Sequence, residues 1–359
     1  MENKNIIIAT GGTGGHILPA VVLARKLKKE KYNVLIIGDK KIENFIQNDN
    51  LEYKIIPCGK KLLSITSLFS IFIGFILSFF TILKFKPKVV IGFGCYATLP
   101  TLMAAKLLKK TIFLHEQNSH MGKINKLFSN DAKYIFTSFY EVYGININNA
   151  DKVEFTGNPV RDRIKELNAI NFQYPENEFA ILITGGSGGA SFFSEKLVNS
   201  FKYLPNNIKS KLKVFHQVKL KSELDKIKDF YDKQHIKARV ALFFPDMPEI
   251  LKNVSLVISR SGVGIASELS VAGKPTIFIP SPNVANNHQY YNAEYYYKNN
   301  ACILINEKDF NEKNFSKTLA QLIEDKNKLE QLSNNMKKLA IVDAESKIYD
   351  FIKKEYNGN

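Results

Sequence analysis

The residues best equipped for chemistry stand where short apolar runs give way to glycine. Ile6-Ile7-Ile8-Ala9-Thr10 leads directly into Gly11-Gly12-Thr13-Gly14-Gly15-His16. Four glycines in five positions let backbone N–H groups approach a ligand closely, and a helix opening there adds partial positive charge, so the stretch reads as a diphosphate cradle. A plain strand-to-helix turn is the alternative. The dinucleotide fingerprint is excluded because a G-x-G-x-x-G from Gly12 fails at Ile17, and a P-loop is excluded because no Gly-Lys-Ser/Thr follows. His16 places a group that titrates near neutrality beside the cradle, a candidate general base for an incoming hydroxyl or, alternatively, a hydrogen-bond donor at a helix start.

Three further glycine turns follow apolar runs: Gly92-Phe93-Gly94-Cys95-Tyr96-Ala97, Gly185-Gly186-Ser187-Gly188-Gly189-Ala190, and Ser259-Arg260-Ser261-Gly262-Val263-Gly264-Ile265-Ala266-Ser267-Glu268. Glu268 is placed to take ribose hydroxyls at a helix start, or merely to compensate a helix dipole. His115-Glu116-Gln117-Asn118 and Asn286-Asn287-His288-Gln289 offer amides and imidazoles suited to sugar hydroxyls. Neither cluster has zinc-ligand spacing, and no metal site is expected. His120, His216 and His235 carry no partner pattern and read as surface or packing residues.

These turns need a scaffold. Strand runs alternate with helical stretches, the first helix being expected from about Pro19 to Lys29, which argues for parallel sheets wound by crossover helices. The theme occurs twice, so the fold class is α/β, with two doubly wound Rossmann-like domains in tandem. Ligands of such sheets bind beyond the carboxyl ends of the strands, where all four turns lie, and two turns per half suggest a shared cleft. The expected domains are residues 1–158 and 159–340, divided at Thr156-Gly157-Asn158-Pro159, with a final helix over 341–359 packing back on the first.

A chain of 359 residues with 45% hydrophobic side chains can fill two cores, and its composition excludes disordered and collagenous classes. The net charge of +16 points to an anionic partner, but only five of the 50 basic residues are arginine, which argues against nucleic acid. Three dispersed cysteines indicate neither a disulfide framework nor a zinc site, and a chain that enters a strand within five residues is not expected to carry an export signal.

Residues 62–83 carry no charge and are bracketed by Lys60, Lys61, Lys84, Lys86 and Lys88. The length suffices for a membrane span. Interspersed hydroxyls, lysines at both ends, and flanking strands that belong to one sheet favour instead an element that docks on a membrane surface, an ordinary buried helix or hairpin being the other reading.

The motifs TGGTGGHILPA, GFGCYATLP, HEQNSHMGKINK, TGNPVR, GGSGGA and SRSGVGIASELSVAGKP, followed by NNHQYYNA, share order and spacing with a known family. The chain resembles the peripheral membrane N-acetylglucosaminyltransferases of bacterial peptidoglycan synthesis, in glycosyltransferase family 28, over nearly its whole length. The resemblance implies a GT-B fold and inverting transfer from UDP-GlcNAc to the C4 hydroxyl of MurNAc in lipid I, giving lipid II. It further implies no cofactor and peripheral attachment to the cytoplasmic face through 62–88, which would meet an anionic surface. Carried onto this sequence, it makes His16 the catalytic base. Thr13, Gly14, Gly15, Asn118, Arg161, Ser187, Phe244 (through its backbone), Val263, Gly264, Ile265, Ala266, Ser267, Glu268 and Gln289 would bind the donor. Gly14, Gly15, Gly94 and Tyr96 would receive the acceptor diphosphate. The sequence departs from the family pattern at Gly188, where glutamine is usual, at Ile265, where threonine is usual, and at Cys95, where glycine is usual. Another GT-B enzyme such as a UDP-GlcNAc 2-epimerase, or a silent nucleotide-sugar binder, is the alternative function.

Overall fold

The structure, a computed structural model, describes residues 4–46, 49–59, 65–186 and 189–358. The chain divides into two compact units, one formed by Met1–Arg161 and Asp343–Asn359, the other by Asp162–Val342. Arg161 therefore belongs to the first unit.

The first unit contains seven strands: β1 (Asn5–Thr10), β2 (Asn33–Gly38), β3 (Glu52–Ile55), β4 (Val89–Gly92), β5 (Thr111–Glu116), β6 (Ala132–Thr137) and β7 (Val153–Phe155). They form one parallel sheet in the order β3-β2-β1-β4-β5-β6-β7. The strand order reverses between β1 and β4, and the first two glycine turns follow those two strands. That is the crevice in which open α/β sheets hold their ligands. Ile6, Ile8, Val89 and Ile91 bury one face of the central strands, and Ile7, Val90 and Leu114 the other.

The helix Ala344–Asn357 completes the core on the first face. Ile348, Ile352 and Tyr356 pack with Leu23, Leu27 and Tyr32, and the Tyr356 hydroxyl donates to the Asn5 carbonyl at 2.5 Å.

The second unit repeats the topology with β8 (Phe179–Thr184), β9 (Leu212–Gln217), β10 (Lys237–Ala241), β11 (Leu256–Ser259), β12 (Thr276–Phe278) and β13 (Ile303–Leu304), in the order β10-β9-β8-β11-β12-β13. All pairs are parallel. β8 is buried along its whole length, as a near-continuous apolar run covered on both faces should be. The order reverses between β8 and β11, the strands that feed the third and fourth glycine turns.

One expected boundary was misplaced. The first helix spans Gly14–Lys29, so it begins five residues before Pro19, which lies inside it. Proline is favoured at the first helical position and reads as a start signal, but here it is tolerated one turn further in, where it offers no N–H to the Gly15 carbonyl.

Candidate functional site

In the first unit the glycine turn is fixed by side chains from neighbouring strands. Gly11 and Gly12 have φ of 156° and 76°. A Cβ on Gly11 would lie 2.5 Å from that of Ala97, so the first turn closes directly on the second. Asp39, just after β2, accepts from the Gly12 N–H at 2.9 Å and from the Lys41 N–H at 3.0 Å. Lys41 Nζ donates back to the Gly12 carbonyl at 2.9 Å. Gly12 is thus not a free phosphate donor, which narrows the expected cradle. Among the described residues, the N–H groups of Gly14 and Gly15 in the first helical turn have no acceptor within the chain. Thr13, at the N-cap, is exposed and makes no side-chain cap.

His16 is half-buried next to these two glycines, and its Nδ1 lies 2.7 Å from Gln117 Oε1. A Cβ on Gly94 would sit 3.6 Å from His16 Cε1 and 3.5 Å from Gln117 Oε1. The structure therefore brings together His16, Gly94 and the end of β5. Gly94, with φ 69°, is followed by Cys95 with φ 61° and ψ 167°, a region that only glycine enters without strain. Burial pushes the Cys95 thiol up to about 12, so it stays protonated. Tyr96 is half-buried at the start of the short helical turn Tyr96–Thr98.

The His115–Asn118 cluster faces inward more than its composition suggests. His115, Glu116 and Gln117 are buried. The Glu116 carboxylate accepts from the N–H groups of Asn118 (3.0 Å) and Gly122 (2.9 Å) and from Asn125 Nδ2 (2.8 Å). It fastens the loop that presents Asn118, and of the four only Asn118 retains partial exposure. Desolvation lowers His115 to about 4, so it is neutral at physiological pH.

In the second unit the fourth turn opens the helix Val263–Val271, with Gly262 as N-cap. Glycine supplies no capping oxygen, and a Cβ there would meet nothing within 4 Å. Among the described residues, the N–H groups of Val263, Gly264 and Ile265 lack an acceptor within the chain, so the positive end of the helix stands open. Ala266 is buried, Ser267 half-buried, and Glu268 only 7% exposed within the same helix. Arg260 braces the turn from beneath. Its guanidinium donates to the Ile279 carbonyl at 2.9 Å, pairs with Glu307 at 2.5 Å and lies over the Phe193 ring.

Ser261 Oγ donates to the Gln289 carbonyl at 2.7 Å, and Gln289 Oε1 accepts from the Ser281 N–H at 2.9 Å. The helix His288–Lys298 is thereby tied to the fourth turn. Phe244 is fully buried, its ring packed against Phe215 and Arg239. Ser187 and Gly188 lie outside the described residues.

The apolar segment forms the helix Ile65–Phe85, long and apolar enough by length and composition to cross a membrane. Residues 62–64 lie outside the described residues. Its polarity is inverted. Ser67, Ile71, Gly74, Ser78 and Thr81 face the protein, whereas Ile65, Leu68, Phe69, Phe72, Phe80 and Leu83 face outward. Small inner residues permit close packing: a Cβ on Gly74 would lie 2.0 Å from the Pro57 carbonyl oxygen, and Ser78 hydrogen-bonds Thr101 at 3.1 Å. Lys84 and Lys86 are exposed at its C-terminal end.

The family profile described as glycosyltransferase family 28 N-terminal domain matches residues 6–137, and the C-terminal domain of the same family matches residues 180–353. A Wolbachia pipientis (strain wPip) protein, named UDP-N-acetylglucosamine--N-acetylmuramyl-(pentapeptide) pyrophosphoryl-undecaprenol N-acetylglucosamine transferase, is 36% identical over 337 residues, 94% of this chain and 95% of the relative. A Rickettsia akari protein of the same name is 34% identical over 93% of this chain and 94% of its own. The crystal structure of Acinetobacter baumannii MurG superposes with a TM-score of 0.79 at 24% identity, covering 98% and 99% of the two chains. The UDP-GlcNAc 2-epimerase of Neisseria meningitidis reaches 0.69 at 16% identity over 98% and 100%. The two structural likenesses establish the fold, an α/β GT-B architecture of two parallel-sheet domains, whereas the profiles and the sequence relatives, which span both units, establish descent: this chain belongs to glycosyltransferase family 28.

Proposed function

We propose that the protein transfers N-acetylglucosamine from UDP-N-acetylglucosamine to the C4 hydroxyl of N-acetylmuramic acid in lipid I, forming lipid II with inversion at the anomeric carbon. The observation that carries this reading is the identity of 34–37% to enzymes of that name over 93–94% of the chain, across both units. The geometry supports it. On the second unit, Val263, Gly264 and Ile265 present three N–H groups, with Ala266 and Ser267 completing the turn, to the donor diphosphate, where negative charge grows as UDP departs. Each such donor is worth about 3 kcal/mol when aimed at developing charge. Glu268 takes the ribose, Gln289 the sugar, and the backbone at Phe244 the uracil, and Ser187 also serves the donor.

On the first unit, Gly14, Gly15, Gly94 and Tyr96 receive the acceptor diphosphate, and Thr13, Gly14, Gly15, Asn118 and Arg161 serve the donor. His16 Nε2 accepts the proton of the attacking hydroxyl. The hydroxyl oxygen then bonds to the anomeric carbon, and the electron pair of the breaking carbon–oxygen bond leaves with UDP.

We also propose that the outward phenylalanines and leucines of Ile65–Phe85, with the lysines at its end, seat the enzyme peripherally on the anionic cytoplasmic membrane surface, where its lipid-linked acceptor resides.

Radiolabelled donor assayed with a lipid I analogue tests the reaction. His16→Ala should lower kcat by about 10²–10⁴-fold. Full activity with an unchanged pH profile would remove the base assignment, and conversion of donor without acceptor would identify an epimerase instead. Release from vesicles by detergent alone, and not by salt or carbonate, would replace peripheral docking with a span.

A further inference from the structure

The His16 ring makes its Nδ1 contact with Gln117, and the chain of polar atoms continues inward. Gln117 Nε2 lies 3.1 Å from His115 Nδ1, and His115 Nε2 lies 3.2 Å from the Gly157 carbonyl oxygen. All four residues belong to the first unit.

The direction of every bond follows from the inner end. A carbonyl oxygen only accepts, so His115 Nε2 must carry hydrogen. Buried and neutral, His115 then has a bare Nδ1, which requires a donor from Gln117. The amide N–H₂ must face inward, an orientation fixed independently because the same Nε2 also donates to the His115 carbonyl at 3.2 Å. Gln117 Oε1 consequently faces His16, where it can only accept, so His16 Nδ1 carries hydrogen. In the neutral ring that leaves Nε2 with its lone pair.

We propose that Gln117 and His115, anchored on the Gly157 carbonyl, are positioning residues that hold His16 in the Nδ1–H tautomer and so keep Nε2 unprotonated for the acceptor hydroxyl. The catalytic part of this inference rests on the reading of His16 as base; the tautomer does not. It gives the Thr156-Gly157-Asn158-Pro159 turn a role beyond ending a domain. Gly157 has φ 83°, and its N–H donates to the Thr137 carbonyl at 3.0 Å, so the direction of its own carbonyl is set by the backbone. Phe93 stacks on His115 with ring centroids 5.0 Å apart and planes inclined by 17°, which fixes the plane of the inner ring. The relay uses a neutral amide where a carboxylate would pair with the imidazolium, so it selects the tautomer without adding charge next to the phosphate-binding glycines.

Long-range ¹H–¹⁵N correlation spectra of the full chain, labelled at histidine and assigned with His16→Asn, report the tautomer near pH 8 without any substrate. The expected wild-type result is His16 protonated at Nδ1. Gln117→Leu, close in size and unable to hydrogen-bond, should shift the ring to the Nε2–H form. It should also lower kcat by about ten- to a hundredfold while changing KM for UDP-GlcNAc less than twofold. Wild-type His16 protonated at Nε2 would overturn the inference, as would a Gln117→Leu spectrum unchanged from wild type. A switched tautomer with unchanged kcat would also overturn the positioning role. If Gln117→Leu fails to fold, the wild-type spectrum decides alone. A protein with no transferase activity but an Nδ1–H ring would refute the proposed reaction and leave the relay standing.

Discussion

The two units share a topology and finish it differently. In the first, the glycine turn at the strand reversal is tied down on several sides: Asp39 holds the Gly12 N–H, Lys41 holds its carbonyl, and Gly11 abuts Ala97. In the second, the helix start after β11, which matches β4 in the strand order, has Gly262 as an empty cap and three N–H groups without acceptors among the described residues, against the two of Gly14 and Gly15 in the first. A rigid turn suits the proposed aiming of one imidazole, that of His16. The wider opening of three N–H groups suits the proposed donor diphosphate, which gains charge as it leaves, and the two of Gly14 and Gly15 suit the proposed acceptor diphosphate, which does not. Matching strand orders therefore say where a ligand goes and little about what is done to it.

The contrast can be broken in several ways. The largest effect is expected from acid. His115 in the first unit and His216 in the second are buried and held neutral, lowered by desolvation to about 4 and about 3. Below the ordinary histidine value near 6.5 the unfolded chain binds protons that the folded chain refuses, so stability falls as pH drops from there through the folded-state values. The loss should be on the order of 3 kcal/mol per histidine by pH 4. Urea titrations across that range check it, and His216→Phe should flatten the response of the second unit alone.

A smaller effect is expected from Asp39→Ala, which removes a charged acceptor from two backbone N–H groups. The first unit should lose about 2 kcal/mol in urea denaturation, whereas UDP affinity by calorimetry should stay within twofold. A matching loss of UDP affinity would show that the division of labour is wrong. Conversely, Gly262→Asp supplies the missing cap and a repelling carboxylate. UDP affinity should fall about tenfold, equivalent to about 1.4 kcal/mol, with stability unchanged or slightly raised. Unchanged affinity would take the diphosphate away from this helix. The smallest effect is expected from Cys95→Gly, which relieves a backbone that disfavours any side chain. Its melting midpoint should rise by the equivalent of about 1 kcal/mol, net of the added freedom of glycine when unfolded.

The architecture was legible because parallel strands announce themselves as short apolar runs ending in glycine, and the order of runs and turns carried both sheets. The helix Ile65–Phe85 was legible as an apolar stretch, but its orientation was not. Composition counts Ser67, Gly74 and Ser78 as dilution, whereas packing uses them as the inner face. The start of the first helix was missed because Pro19 imitates a first-turn residue. Nor could the fate of the Gly12 N–H be read. Asp39 is 27 residues away and reaches it only through the parallel register of β1 on β2. Similarly, four consecutive polar residues at 115–118 look alike in sequence, and only the fold separates Glu116, which fastens a loop, from Gln117, which faces His16.

The second unit is inserted within the first, since residues 343–359 return to the sheet formed by residues before 162. Emerging vectorially from a ribosome, the chain would deliver the second unit complete while Leu23, Leu27 and Tyr32 still awaited their cover from Ile348, Ile352 and Tyr356. The half that carries His16 and the helix Ile65–Phe85 would mature last, holding back the proposed acid–base role and the proposed membrane docking until residues 343–359 have emerged.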